Sequence, residues 1–202
     1  MTTTGKHLPA DERKAVIVET VIELAARQNP GEITTAAIAR QMGLTQGALF
    51  RHFPSKDAIW LAVMEWVAGQ LLARVKQGAR TAKTTQAALE AIFTAHLDLI
   101  TTCPGVPRIL FHELQRREDT PAKGVVRALI TAYGKQLITI LERGKIDGEL
   151  AGEINVSAAA ALFLGMIQGL VMQSLITGDP GYIGRESREF FTLYQRSIRK
   201  VP

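Results

Sequence analysis

The residues best suited to chemistry cluster in one short stretch, TTAAIARQMGLTQGALFRHF, residues 34–53. Thr34, Thr35 and Thr45 carry hydroxyls fit for capping a helix or touching a phosphate. Gln46 carries an amide, which pairs with adenine by one donor and one acceptor in a major groove. Gly47 removes bulk beside it, and Phe50, Arg51, His52 and Lys56 follow closely. From Ile33 to Lys56 the chain holds Arg40, Arg51 and Lys56 and no acid. Taken singly, each of these residues has an ordinary explanation, since threonines and Ser55 cap helices, and glycine and histidine are common on surfaces. Their joint order points to a polyanion, which needs donors and cations without competing carboxylates.

Other chemistries are poorly served. His7, His52, His96 and His112 have no zinc-ligand spacing, so neither a metal nor a cofactor is expected. Cys103 stands beside Pro104 at a helix end, away from the helix N-terminus that would lower a thiol pKa, and no Cys-His-Asp order accompanies it. An enzyme built on Cys103, or on His96 with His112, is the remote alternative. A single cysteine closes no intrachain disulfide, and the N-terminal MTTTGKHLPADERK has no apolar run of a signal peptide. A cytoplasmic location is therefore expected.

The elements that position this stretch are helices. Apolar residues recur at helical spacing along all 202 residues, and no run alternates long enough for a strand. The chain reads as all-α, with about nine helices. The first spans about residues 9–28, with Ile17, Val21, Leu24 and Ala25 on one face and Asp11 and Glu12 in its first turn. Asn29-Pro30-Gly31 stops it. Thr34 or Thr35 caps a short helix to Gln41, Gly43 ends that helix, and Thr45 caps a two-turn piece from Gln46 to Phe53. Ile38, Met42, Leu44, Leu49 and Phe53 face inward. Ser55 caps a long fourth helix to about Ala79. Five more are expected at 85–101, 107–117, 121–144, 156–177 and 184–200, with Thr120-Pro121 and Asn155 at helix starts. The expected division is a helix-turn-helix domain at 9–56, a linking helix at 56–79, and a second helical domain at 80–202.

The net charge of +5 is unevenly placed, with +4 of it in residues 1–83. By contrast, residues 156–176 carry no charge and set Ala161, Gly165 and Gly169 at intervals of four. That run is long enough for a membrane span. Gln168, Gln173, Ser157 and Ser174 and the lack of a basic flank argue against one, so no membrane partner is expected.

The segment from about Ala15 to Trp66 resembles the DNA-binding domain of the tetracycline-repressor (TetR/AcrR) family of bacterial transcription regulators. Ala25, Ile33-Thr34-Thr35, Ile38-Ala39, Met42-Gly43-Leu44-Thr45, Gly47-Ala48-Leu49-Phe50, His52-Phe53 and Ser55-Lys56-Asp57 carry the resemblance. It implies phosphate contacts at Thr35 and Lys56, groove contacts at Thr45, Gln46 and Gly47, and DNA backbone contacts at Phe50 and His52. Thr34 and Arg51 complete the expected DNA-facing set. Two departures stand out: Phe50 replaces the usual tyrosine, losing a hydroxyl, and Ala36 and Ala37 leave the first short helix without a base-reading side chain.

The resemblance further implies a C-terminal effector pocket and a homodimer. Candidate effector residues are His96, Cys103, Phe111, His112, Tyr133, Met166 and Gln168, with Glu113 and Gln115 as further polar groups among the middle helices. Candidate interface residues are Ala161, Gly165, Gly169, Phe190, Tyr194 and Ile198, in a bundle of the last two helices of each subunit. The expected function is a dimeric repressor on a palindromic operator, released by a small molecule. The alternative is a helix-turn-helix DNA-binding protein without an effector, acting as a structural or nucleoid factor.

Overall fold

A computed structural model describes residues 9–200; His7 and the rest of residues 1–8, with 201–202, lie outside the described residues. The described chain is all-α, with nine α-helices. They are α1 (Ala10–Arg27), α2 (Thr35–Gln41), α3 (Gln46–Phe50), α4 (Lys56–Thr81), α5 (Thr85–Thr102), α6 (Gly105–Gln115), α7 (Pro121–Ile146), α8 (Val156–Thr177) and α9 (Tyr182–Ile198). The expected caps are in place. Thr34, Thr45, Ser55, Thr120 and Asn155 each accept a bond from the backbone N–H three residues on, at 2.9–3.2 Å. Asn29-Pro30-Gly31 does more than stop α1, because Pro30–Glu32 forms a 3-10 turn whose N-cap is the Asn29 side chain.

Several helix ends differ from the sequence reading by two or three residues. α3 ends at Phe50 rather than Phe53, α6 begins at Gly105 rather than Pro107, and α9 occupies Tyr182–Ile198. Pro107 sits in the first turn of α6, where a missing N–H leaves no intrahelical bond unmade.

The chain divides into two units that interleave along the sequence: one runs to Gly69 and takes in Cys103–Ala128, the other holds Gln70–Thr102 and everything from Leu129 onward. This differs from the expected sequential division at 56–80, because α6 folds back onto α1. Val106 and Ile109 of α6 join Ile17, Val21, Ile38, Leu49, Phe53, Ile59, Trp60 and Val63 in one core. Gly105 permits the approach: a Cβ there would lie 1.9 Å from the Ile22 carbonyl oxygen of α1. Buried Glu113 accepts a hydrogen bond from the Thr120 hydroxyl and lies 3.6 Å from Arg116, which also pairs with Asp57 at 2.9 Å. These links hold the end of α6 to the start of α4.

In the second unit, Phe93 of α5 stacks on Phe191 of α9 at 4.9 Å between ring centroids, and Phe163 of α8 meets Tyr194 edge-on. The Tyr194 hydroxyl donates to the Ala159 carbonyl at 3.1 Å. The Glu149 carboxylate accepts from the Thr85 N–H at 2.7 Å and so caps α5 from 64 residues away. α4 and α8 are each long and apolar enough to cross a membrane by composition. α8 nonetheless buries Ala159, Phe163, Met166, Ile167 and Leu170 inside the unit.

Candidate nucleic-acid interface

The helix-turn-helix is built by local rules. At the end of α2, Gly43 takes φ +66°, a conformation that suits glycine. That turn lets Leu44 N donate to Ala39 O at 2.8 Å and delivers Thr45 as the cap of α3. Ile38, Ala39, Leu49 and Phe53 are buried, Met42 and Leu44 half-buried. The opposite side shows Thr34, Thr45, Gln46, Gly47, Phe50 and Arg51 to solvent, with Phe50 42% exposed. Nothing lies within 4 Å of a Cβ built on Gly47, so that side of α3 is open. The Thr34 and Thr45 oxygens accept capping bonds, which leaves each O–H proton free to donate outward.

Three side chains behave differently from a simple reading of the sequence. Thr35 is half-buried, and its hydroxyl oxygen accepts from Gln46 Nε2 at 2.6 Å across the two helices. Lys56 turns to its own chain: Nζ donates to the Gly31 carbonyl at 3.3 Å and lies 5.6 Å from the Trp60 ring centroid. Burial lowers its pKa, Arg116 adds to the shift, and Asp57 opposes it. His52 is half-buried, and burial followed by the positive charges of Arg13, Arg51 and Lys14 holds its pKa below the usual value. Arg13 and Lys14 of α1 thus belong to the same positive region, which reading α2 and α3 alone had missed. The signal was present, since both stand in the first turns of α1, within the stretch 1–83 that carries +4 of the net charge.

The nominated effector residues fall in both units. His96 Nδ1 and the Tyr133 hydroxyl lie 3.3 Å apart in the second unit, where burial drives the His96 pKa down to about 4 and the Tyr133 pKa up. Met166 is buried in the same unit, and Gln168 is exposed on α8. Cys103, Phe111 and His112 belong to the first unit, where Cys103 packs on the core and the His112 ring lies 6.2 Å from that of Trp60. A cleft of about 520 Å³ runs between α5 and α9 over Phe93, Leu97, Ile183 and Phe191. None of the seven nominated residues lines it.

The nominated interface residues also separate. Ala161 and Gly165 are exposed and Gly169 half-buried, with open space beside both glycines. Phe190 is half-buried. Tyr194 and Ile198 are corrected to interior positions, 3% and 2% exposed, because Tyr194 is bonded to α8 and the Ile198 carbonyl accepts from Ala151. The outward stripe of α8 comprises Ala161, Leu162, Gly165, Gln168, Met172, Gln173 and Ile176, with Leu162 53% and Ile176 69% exposed. Leu193 of α9 is exposed as well.

Comparison with known proteins agrees with this architecture. Residues 17–63 match the pattern described as bacterial regulatory proteins, tetR family. The nucleoid occlusion factor SlmA of Marinomonas sp. (strain MWYL1) is 24% identical over 161 residues, covering 80% of this chain and 82% of that protein. The structure of the ketosteroid transcriptional regulator KstR2 of Mycobacterium tuberculosis matches with a TM-score of 0.76 at 18% identity, covering 99% of this chain and 100% of that one. The transcriptional regulator FadR of Bacillus subtilis, in complex with stearoyl-CoA, matches with a TM-score of 0.76 at 19% identity, over 88% of this chain and 95% of that one. Residues 17–63 thus carry the helix-turn-helix pattern of the tetR family of bacterial regulatory proteins, and the chain shares the all-α fold of these solved regulators over nearly its whole length.

Proposed function

We propose that the protein is a homodimeric, sequence-specific DNA-binding transcriptional repressor of the cytoplasm, released from a palindromic operator by a small-molecule effector. The observation that carries this reading is the exposed side of α3, where Gln46 and Gly47 stand open to solvent in a stretch without a carboxylate. Gln46 reads an adenine in the major groove, and the hydroxyls of Thr34, Thr35 and Thr45 together with Arg51 donate to phosphates. His52 and Phe50 pack beside the backbone, and Lys56 braces α4 behind them.

The support for dimerisation is α8, whose outward stripe is uncharged and largely apolar; a second copy covers it. Two subunits place two short reading helices about one DNA turn apart, roughly 34 Å, which a single five-residue helix needs for a specific site. Effector release requires only that the ligand prefer the DNA-incompetent state by about 1–3 kcal/mol, and operator binding must weaken ligand binding by the same factor. The stearoyl-CoA complex of the similar FadR supports a ligand-binding role for the helical second unit.

A mobility shift at physiological salt tests this reading. The protein is expected to bind its own promoter region far more tightly than random DNA of equal length, and equal affinity for both sinks sequence-specific repression. The similarity to SlmA, a nucleoid occlusion factor, favours a second reading in which the protein binds DNA without an effector. A metabolite that both raises the melting temperature and releases DNA decides for the first reading. A protein that binds a specific site while no ligand shifts either decides for the second.

A further inference from the structure

The contact between Thr35 and Gln46 links two functions usually kept apart, positioning on the phosphates and reading of a base. Gln46 Nε2 donates one of its two hydrogens to Thr35 Oγ1 at 2.6 Å. This leaves the amide one N–H and the Oε1 acceptor, the complement of adenine N7 and N6. Thr35 stands at the first position of α2, but the cap of that helix is Thr34, so the Thr35 hydroxyl has no structural duty in capping. Its oxygen is occupied as an acceptor, and its own proton remains available to donate outward.

An amide has two orientations that exchange its oxygen and nitrogen. A hydroxyl with a free proton satisfies either, by accepting from the nitrogen or donating to the oxygen. Once that proton is committed to a phosphate, the hydroxyl only accepts, and the amide is locked with its nitrogen toward Thr35. We infer that Thr35 is the positioning residue for Gln46: engagement of a phosphate by its hydroxyl selects the amide orientation that reads adenine. Base reading in each half-site thereby depends on correct seating of the backbone.

This inference rests on the DNA-reading function proposed above, and its test separates the two. The full-length protein and its Thr35→Val, Thr35→Ser and Gln46→Ala variants are used to select sites from randomised duplex DNA. Each is then titrated against the selected site and versions changed one base pair at a time. Wild type is expected to discriminate about tenfold at one position per half-site. That discrimination disappears in Gln46→Ala and in Thr35→Val, is not reduced further in the double variant, and returns in Thr35→Ser. Thr35→Ala takes the place of Thr35→Val if the latter does not melt cooperatively. Equal weakening of every site by Thr35→Val, with the tenfold preference intact, overturns the inference and leaves Thr35 a phosphate contact alone. Loss of preference in Thr35→Ser overturns it also. Failure of wild type to select any site overturns the DNA-reading function itself and the inference with it.

Discussion

The protein leaves two surfaces uncovered, and it does so in opposite ways. The outward side of α2 and α3 is small, polar and rich in donors, with no acid from Ile33 to Lys56. The outward side of α8 is uncharged and largely apolar, with Leu162, Met172 and Ile176 exposed beside Gln168 and Gln173 and no charge from Val156 to Ile176. Water tolerates the first and is displaced from the second at a gain of about 25 cal/mol for each Å² covered. Under the proposed function, a polyanion covers the first and a second copy of the chain the other. Both surfaces carry glycines with open space beside them, Gly47 and Gly165, whereas the interior behind the reading helices depends on Gly105, which has none.

That contrast can be broken most severely at Gly105. Gly105→Ala drives a methyl into the Ile22 carbonyl, and the expected loss is about 3 kcal/mol or more, read by denaturant unfolding. The same change at Gly165, inside α8 with open space beside it, is expected to raise the monomer's stability by about 0.5–1 kcal/mol.

The next effect concerns the interior of the second unit. His96 stays neutral in the folded protein down to about pH 4, whereas an unfolded histidine takes its proton near 6.5. The unfolded chain therefore binds the proton first. Stability is whole above pH 6.5 and falls as the pH drops toward 4, by up to about 3 kcal/mol. Urea unfolding across that range should show this slope in wild type and lose it in His96→Gln.

Leu162→Glu sharpens the reading of α8. If a partner covers that stripe, the change removes about 2 kcal/mol of apolar burial and adds a charge to it. Sedimentation is expected to show folded monomers with weak operator binding. A variant that still dimerises moves the interface elsewhere.

On the reading face, Arg51→Ala is expected to lower the salt dependence of DNA binding by about one unit of log–log slope per subunit. Lys56→Ala should change the slope less and cost about 1 kcal/mol of folding stability, because its ammonium is bonded to Gly31. Binding titrations in graded salt distinguish the two cations. The smallest effect is at Gly47. Gly47→Ala should raise thermal stability by about 0.5–1 kcal/mol through helix propensity while weakening operator binding. A gain in both places Gly47 away from the groove.

The local grammar of this fold was legible without coordinates. Threonine, serine and asparagine caps, glycine stops and 3.6-residue periodicity located nine helices, with most ends within two residues. The reading helix was legible for the same reason: its exposed and buried positions follow from a few turns and one Gly43. α8 was less so. It is apolar all round, so its composition cannot say which face the chain buries, and Leu162 and Ile176 stayed hidden among equals. The effector set drew on the middle helices as a whole, and their polar residues fall in both units, a division that spacing along the chain does not mark.

The sequence by itself thus determined the helices, the helix-turn-helix and its acid-free side, because capping, turning and amphipathic spacing act over a few neighbouring residues. Tertiary structure decided the rest: α6 against α1 through Gly105, Lys56 turned inward, Gln46 tied to Thr35, and Tyr194 buried while Leu162 is exposed. Each of these depends on which residues, eleven or more positions apart, reach van der Waals or hydrogen-bond distance, and spacing along a chain does not encode that.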